Sequence, residues 1–290
     1  MKKTPFKRVA FYYRPDMIHV LPWKEKIERW IKKQYPRTHI LESIGTPKQK
    51  KHAPDLLIVL GGDGTIIEAA QRFQRWNPLI FGLNLGHVGF LASVREKTRF
   101  LSGIARVFRH EFRTLPRMLM QTSLIRKGKK IYSGFALNDI AVQNLLGIVD
   151  IGVFVEGRII QHIHGTGVIV STATGSTAYN LSAHGPIVMP DVKCFILTEI
   201  LDHSIPTPSL IIKRNRTITL TIDDFRERDR FIIKHTGETA DVVLASDIDR
   251  IIALKKGDKV VVRKSERLVR FIEFEKDYFF KSLQEKFSFR

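Results

Sequence analysis

Two stretches of this chain hold the residues best suited to chemistry. Gly61-Gly62-Asp63-Gly64-Thr65 follows an apolar run, Leu56-Leu57-Ile58-Val59-Leu60, and precedes a stretch with helical spacing. A strand that ends in glycines and opens into a helix suits phosphate. Glycine lets the backbone approach closely, and N–H groups at a helix start offer donors and partial positive charge. A carboxylate in such a loop repels phosphate, so Asp63 needs another purpose. Holding a metal ion, or taking the proton of an attacking hydroxyl, supplies one. The chemistry indicated is phosphoryl transfer. The same five residues also make a good tight turn with an aspartate cap, so the loop alone does not decide.

The second stretch is Thr172-Ala173-Thr174-Gly175-Ser176-Thr177-Ala178-Tyr179, after Val168-Ile169-Val170 and shortly before Ser182-Ala183-His184-Gly185-Pro186. Hydroxyls gathered round one glycine form a dense set of donors and acceptors, suited to the amide, base edges and ribose of a nucleotide; the plain alternative is a turn with polar fillers. Asn138-Asp139, after Phe135-Ala136-Leu137, adds an amide beside a carboxylate. Such a pair can bind neighbouring ribose hydroxyls, the amide donating and the carboxylate accepting. Asn-Asp is also a common turn sequence.

Elements must position these groups. Val9–Tyr13 reads as a buried strand, and Trp23, Ile27, Trp30 and Ile31 repeat at helical spacing. Pro36 and Thr46-Pro47-Lys48 mark connections. After the 56–60 strand comes a helix with Ile66, Ile67, Ala69, Ala70 and Phe73 on its apolar side. Leu79–Gly82 is another strand, running into Asn84–Phe90, and Phe100, Leu101, Ile104 and Phe108 predict one more helix. This rhythm argues for a parallel sheet with ligand sites at the carboxyl ends of its strands. The texture changes near residue 110. Short β-branched runs follow: Arg216–Ile222 alternates with period two, then Phe231–Ile233, Asp241–Leu244 and Lys259–Val262, with Gly257-Asp258 as a turn. The reading is an N-terminal α/β domain with a parallel sheet, 1–110, and a mostly β, sandwich-like domain, 111–265. Residues 266–290 form a C-terminal segment packing back on the first domain, with Phe279, Leu283 and Phe287 predicting a final helix.

Length and composition set limits. With 290 residues, 43% of them hydrophobic, the chain can form two folded cores. No apolar run approaches the roughly 20 residues needed to span a bilayer, and the N-terminal stretch lacks the pattern of a secretory signal. One cysteine, Cys194, cannot make an internal disulfide, which points to a cytoplasmic location; it reads as a packed thiol. The net charge of +19 is scattered, without a nucleic-acid-binding motif. It suggests a protein handling polyanionic small molecules, with no specific nucleic-acid partner and no membrane. His162 and His164 would share one side of a strand but lack a third ligand, so no zinc or iron site is expected. Trp23 and Trp30 read as core, and Arg226–Arg230 as a solvated turn.

Together these pieces resemble the NAD kinase family. The Gly61–Thr65 loop, the Asn84–Phe90 segment, Asn138-Asp139 and the Thr172–Pro186 block occur in the family's order and approximate spacing, from about Val9 to the C-terminal region. The first motif is shared with lipid kinases of the diacylglycerol and sphingosine type; the Thr172–Pro186 block is much more specific. The resemblance implies transfer of the γ-phosphoryl of ATP to the 2′-hydroxyl of the adenosine ribose of NAD, with Mg2+ accompanying the triphosphate. Asp63 would be the catalytic base, and Gly61, Gly62, Gly64 and Thr65 would shape the phosphate loop. The implied NAD contacts are Asp63, Gly64, Phe90, Asn138, Asp139, Thr177, Ala178, Tyr179, Asn180, Leu181 and Ser182. It further implies a homo-oligomer, dimer or tetramer, with the active site between the two domains.

Some positions depart from the family pattern. Asp139 stands where glutamate is usual, and Thr166 where aspartate is common, which predicts an altered preference between NAD and NADH. His203-Ser204 matches a family pair, but Pro208-Ser209 replaces the expected Arg-Pro. Ser246-Asp247-Ile248-Asp249 matches the family's Ser-x-Asp-Gly-Gln stretch in part. Two alternatives stand beside this reading: a lipid kinase and a non-catalytic nucleotide-binding protein.

Overall fold

The computed structural model describes residues 5–41, 53–86, 89–204, 207–228, 231–234, 236–247 and 250–287. The readings placed on the first four residues, Thr46–Lys48, His87, Val88, Asp229, Arg230, Ile248 and Asp249 lie outside them. The chain divides into two compact units: Met1–Arg117 with Arg267–Arg290, and Met118–Glu266.

The first unit is α/β. Strand β1 (Arg8–Tyr12) leads to helix α1 (Leu21–Gln34), β2 (His39–Leu41), β3 (Leu56–Leu60), α2 (Asp63–Phe73), β4 (Leu79–Leu83) and α3 (Phe100–Phe108). β1 lies between β2 and β3, and β3 pairs with β4, all in parallel. Every residue of β3 is buried, which is why its apolar run does not alternate: a parallel strand is covered on both faces. Helix α1 has proline in its first turn, buries Ile27 and Ile31, and gives way at Tyr35, just before Pro36. Helix α2 buries Ile66, Ile67, Ala69, Ala70 and Phe73, the apolar side read from the sequence. Val9, Ile27, Ile31, Ile58, Phe81, Phe100 and Ile104 join β1, β3, β4, α1 and α3 in one core.

The second unit is mostly β. Its strands are β5 (Arg113–Arg126), which enters from the first unit, β6 (Lys129–Ala136), β7 (Asp139–Asn144), β8 (Val149–Val155) and β9 (Arg158–Thr172). The short helix α4 (Tyr179–Ser182) precedes β10 (Cys194–Asp202), β11 (Leu210–Lys213), β12 (Ile218–Phe225), β13 (Phe231–Ile232), β14 (Thr239–Ala240), β15 (Val242–Ser246), β16 (Arg250–Leu254) and β17 (Lys259–Glu273). Antiparallel neighbours run β16-β15-β7-β9-β8-β12-β17, with β10 also on β9, β11 on β10, and β5 paired with β6. Alternate residues of β12 enter a core that includes Ile140, Val170, Phe195, Leu220 and Val260. The strands here are longer than the short runs read from the sequence: β5 has 14 residues, β9 and β17 15 each. Polar residues on their outward faces, His162 and His164 among them, break up the apolar signal without breaking the strand. Cys194 is buried, and burial pushes its thiol up, so it is inert packing.

The chain then returns to the first unit. Arg270 and Phe271 pair in parallel with Leu79 and Ile80, and helix α5 (Tyr278–Phe287) ends the described chain. Among the described residues no helix is long and apolar enough to cross a membrane.

Candidate active site

In the first unit the glycine loop joins β3 to α2, as the sequence indicated. Gly62 caps the helix in an extended conformation, and nothing lies within 4 Å of where its Cβ would be. That space faces a helix start, whose first N–H groups lack intrahelical partners. Thr65 is buried and donates its hydroxyl to Met17 Sδ at 3.9 Å, so it shapes the loop from within.

Asp63 is the first residue of α2, and two backbone groups hold its carboxylate. Phe90 N–H donates to Oδ2 at 2.7 Å and Leu91 N–H to Oδ1 at 3.1 Å. Both donors belong to the loop after β4, so the carboxyl ends of neighbouring parallel strands fix one acid. Gly89 makes this possible: a Cβ there would stand 2.2 Å from Asp63 Oδ1. Each carboxylate oxygen has two lone pairs, so both bonds leave acceptor capacity for a substrate hydroxyl.

Phe90 holds Asp63 through its backbone. Its ring is buried against Phe279 and Phe287 of α5, centroids 5.8 and 6.2 Å away, with Lys286 Nζ 4.9 Å from its centre. Helix α5 grips the same loop again through Tyr278, whose hydroxyl donates to Ala92 O and accepts from Arg95 Nε at 3.2 Å. Burial is the main reason the Tyr278 phenol is pushed up to about 12. These long-range contacts carried no local sequence signal.

In the second unit the Asn138-Asp139 pair sits where β6 passes to β7. Asp247, in the turn between β15 and β16, clamps this corner. Its Oδ2 accepts Leu137 N–H at 2.7 Å, and its Oδ1 accepts Asn138 and Asp139 N–H, both at 3.0 Å. Its own N–H donates to Asp139 O at 3.1 Å, and its φ of 42° is left-handed, a conformation side chains resist. On the other side, Thr172 N–H donates to Asn138 O at 2.7 Å and Thr172 Oγ1 to Leu137 O at 2.6 Å. A Cβ on Gly175 would meet Asn138 O at 2.3 Å, so only glycine lets the chain pass there.

Two acceptors at this corner are buried without a partner among the described residues: Asn138 Oδ1 and Asp139 Oδ2. Unsatisfied buried acceptors are unusual and call for a donor; ribose hydroxyls are such donors. Burial, then the nearby Asp247 charge, push the Asp139 carboxyl up to about 7, against a backbone hydrogen bond from Tyr179 that lowers it. The Tyr179 hydroxyl donates to Gln143 Oε1 at 2.9 Å.

The hydroxyl-rich block forms a turn of 3₁₀ helix (Thr174–Thr177) and then α4. Its polar groups divide. Thr172, Ser176 and Asn180 are buried and bonded internally: Asn180 Nδ2 donates to Ser176 O and Pro186 O, and its Oδ1 accepts from Thr198 Oγ1 at 2.8 Å. Asn180, read from the sequence as an NAD contact, has a side chain wholly occupied in holding the loop. Thr177, Ala178, Tyr179, Leu181 and Ser182 keep accessible surface. Thr166 is half-buried on β9. His162 and His164 are exposed on that strand, facing Asp223 and Asp150.

Among the described residues no three His, Cys, Asp or Glu side chains group around one point. A magnesium ion carried by a triphosphate needs only one or two protein carboxylates beside phosphate and water oxygens, and Asp63 is the carboxylate in the glycine loop.

Family models for the ATP-NAD kinase N-terminal and C-terminal domains match residues 7–112 and 139–274. The NAD kinase of Lachnoclostridium phytofermentans is 31% identical over 247 residues, 84% of this chain and 82% of that protein. The NAD kinase of Syntrophotalea carbinolica is 34% identical over 234 residues, 80% of this chain and 77% of that one. Among solved structures, yeast NADH kinase complexed with NADH superimposes with a TM-score of 0.85 at 21% identity, covering 99% of this chain and 88% of that one. An NAD kinase from Archaeoglobus fulgidus in complex with ATP gives 0.71 at 24% identity, covering 96% and 98%. At those identities the solved structures speak for the fold. None of these matches supports a lipid kinase. With both family models matched over most of its length, the chain belongs to the ATP-NAD kinase family.

Proposed function

We propose that this chain transfers the γ-phosphoryl group of ATP to the 2′-hydroxyl of the adenosine ribose of NAD, giving NADP and ADP. Family membership supports the reaction, and one observation carries the residue assignment. A carboxylate stands at the first turn of a helix opened by glycines, oriented by two backbone N–H groups from the next loop. Asp63 accepts the hydroxyl proton as the oxygen attacks phosphorus. Gly62 leaves room for phosphate oxygens, and Gly61, Gly64 and Thr65 hold the loop in shape. Asn138 and Asp139 take the ribose hydroxyls with their unpaired oxygens, and Thr177, Ala178, Tyr179, Leu181 and Ser182 line the path of the dinucleotide. Magnesium, bound with the triphosphate, offsets phosphate charge near Asp63. The same reading includes a cytoplasmic homo-oligomer.

The test is transfer from ATP with magnesium to NAD and, separately, to NADH, with product read by a coupled dehydrogenase. Product with either acceptor supports the assignment. No product with either, in folded protein, overturns it in favour of a binder without catalysis. Thr166 is proposed to tune the choice between the two acceptors. Thr166→Asp is expected to shift the ratio of their kcat/KM values, and an unchanged ratio removes Thr166 from the pocket.

A further inference from the structure

The first unit has a cavity at the end of its sheet opposite the glycine loop. About 690 Å³ in volume, it opens at the amino ends of β1, β3 and β4. Arg8 begins β1, Asp55 precedes β3, Arg75, Trp76 and Asn77 precede β4, and Arg270 reaches in from β17. Asp63 and Phe90 lie past the carboxyl ends of β3 and β4. Five residues of strand separate the two ends, about 17 Å at the usual rise.

The lining has a definite chemistry. Three guanidinium groups face one carboxylate, and Asp55 is already engaged, accepting Arg8 N–H at 2.9 Å and Arg8 Nη2 at 3.2 Å. Arg270 donates to Asn77 Oδ1 at 3.2 Å and to Asn77 O, which orients its planar fork. Arg75 stands over the Trp76 indole, 5.1 Å from the ring centre. Among the described residues neither Arg75 nor Arg270 has an ion-pair partner. The Trp76 indole also lines the cavity, while its Nε1 is itself buried. Guanidinium forks match phosphate oxygens in pairs.

We propose that this cavity binds a small phosphate-bearing anion, held by Arg75 and Arg270 beside the Trp76 indole. The volume leaves room for an organic group beyond the phosphates. The site is separate from the glycine loop, and the proposal does not depend on the reaction assigned there. It also gives part of the +19 charge a use that the dinucleotide site does not require.

The experiment follows the indole N–H resonances of the full-length protein, labelled with nitrogen-15, during titration with pyrophosphate at constant ionic strength. Trp76→Phe, which keeps an aromatic ring, identifies the Trp76 signal by its loss. The expected result is a saturable shift of that signal, with Arg75→Ala weakening the apparent affinity about tenfold or more, roughly one guanidinium–phosphate contact. Arg75 is exposed, so its replacement should leave the other amide resonances in place; Arg75→Gln repeats the test with a longer neutral side chain. Absence of a saturable shift up to about 10 mM pyrophosphate overturns the proposal. So does an identical shift in both Arg75 variants, which would place the anion elsewhere, such as the glycine loop.

Discussion

At Asp63 the geometry separates holding the acid from using it. Two backbone N–H groups fix the carboxylate and leave lone pairs on both oxygens for the proton that the proposed reaction must remove. Asp63→Asn keeps one acceptor oxygen and turns an NH₂ group toward the other N–H. It is expected to lower kcat by about 10²–10⁴-fold, the usual worth of a positioned general base, while NAD binding stays within a few-fold. Turnover above about a tenth of wild type would dismiss Asp63 as the base. Asp139 makes a prediction of opposite kind, about stability. Its folded-state pKa, about 7, lies above the ordinary 3.8, so the folded protein holds this proton more tightly than the unfolded chain. Its favourable contribution is complete below 3.8 and disappears as pH rises through about 7. The neutral amide introduced by Asp139→Asn carries no such penalty. In the ligand-free state this variant should therefore melt several degrees above wild type at about pH 8, at about 2–4 °C per kcal/mol. The gap should close as pH falls toward 3.8. A variant melting below wild type under those alkaline conditions contradicts a destabilising buried carboxylate.

At the scale of elements, a hairpin turn positions the Asn138-Asp139 corner. Asp247 gathers three N–H groups from Leu137, Asn138 and Asp139, though about a hundred residues of chain lie between them. Asp247→Ala releases all three, at a cost of about 1 kcal/mol each or more, and frees the corner to move. If the clamp positions Asn138 and Asp139 for NAD, the KM for NAD should rise about tenfold or more while the KM for ATP stays within about twofold. A parallel change in both constants, or in stability alone, reduces Asp247 to a structural staple. This clamp also shows what sequence could convey. The β3 run, the apolar side of α2 and the glycine loop were legible because each is a local pattern with its own period or punctuation. The Asp247 clamp was visible only as a partial Ser-x-Asp resemblance, since its meaning depends on pairing between distant strands. Phe90 and Asn180 were read as NAD contacts. The structure gives the Phe90 ring to α5 and the Asn180 amide to its own loop, and both depend on contacts that no local pattern announces.

At the scale of the whole molecule, the two units differ in how the chain supplies them. Met118–Glu266 is continuous, whereas the first unit needs both Met1–Arg117 and Arg267–Arg290. The returning segment is structural to the first unit. Phe271, Ile272 and Phe279 are buried there, Arg270 and Phe271 pair with β4, and Ser93 Oγ donates to Ile272 O at 2.6 Å. Burying each large apolar side chain contributes about 1.5–3 kcal/mol, so losing these three removes roughly 5–9 kcal/mol. That equals much of the roughly 5–15 kcal/mol by which a domain is stable. We therefore propose that Met118–Glu266 is an independent folding unit and that Met1–Arg117 is not. Expressed alone, the continuous segment should show β-type circular dichroism and cooperative melting, because its core draws on no residue outside it. Met1–Arg117 alone should show no cooperative melting, and regain it when a flexible linker joins Arg267–Arg290 to its end. A cooperative transition in Met1–Arg117 without that segment would mean that the four parallel strands and their helices suffice. The returning strand and α5 would then serve the loop that holds Asp63 rather than the fold.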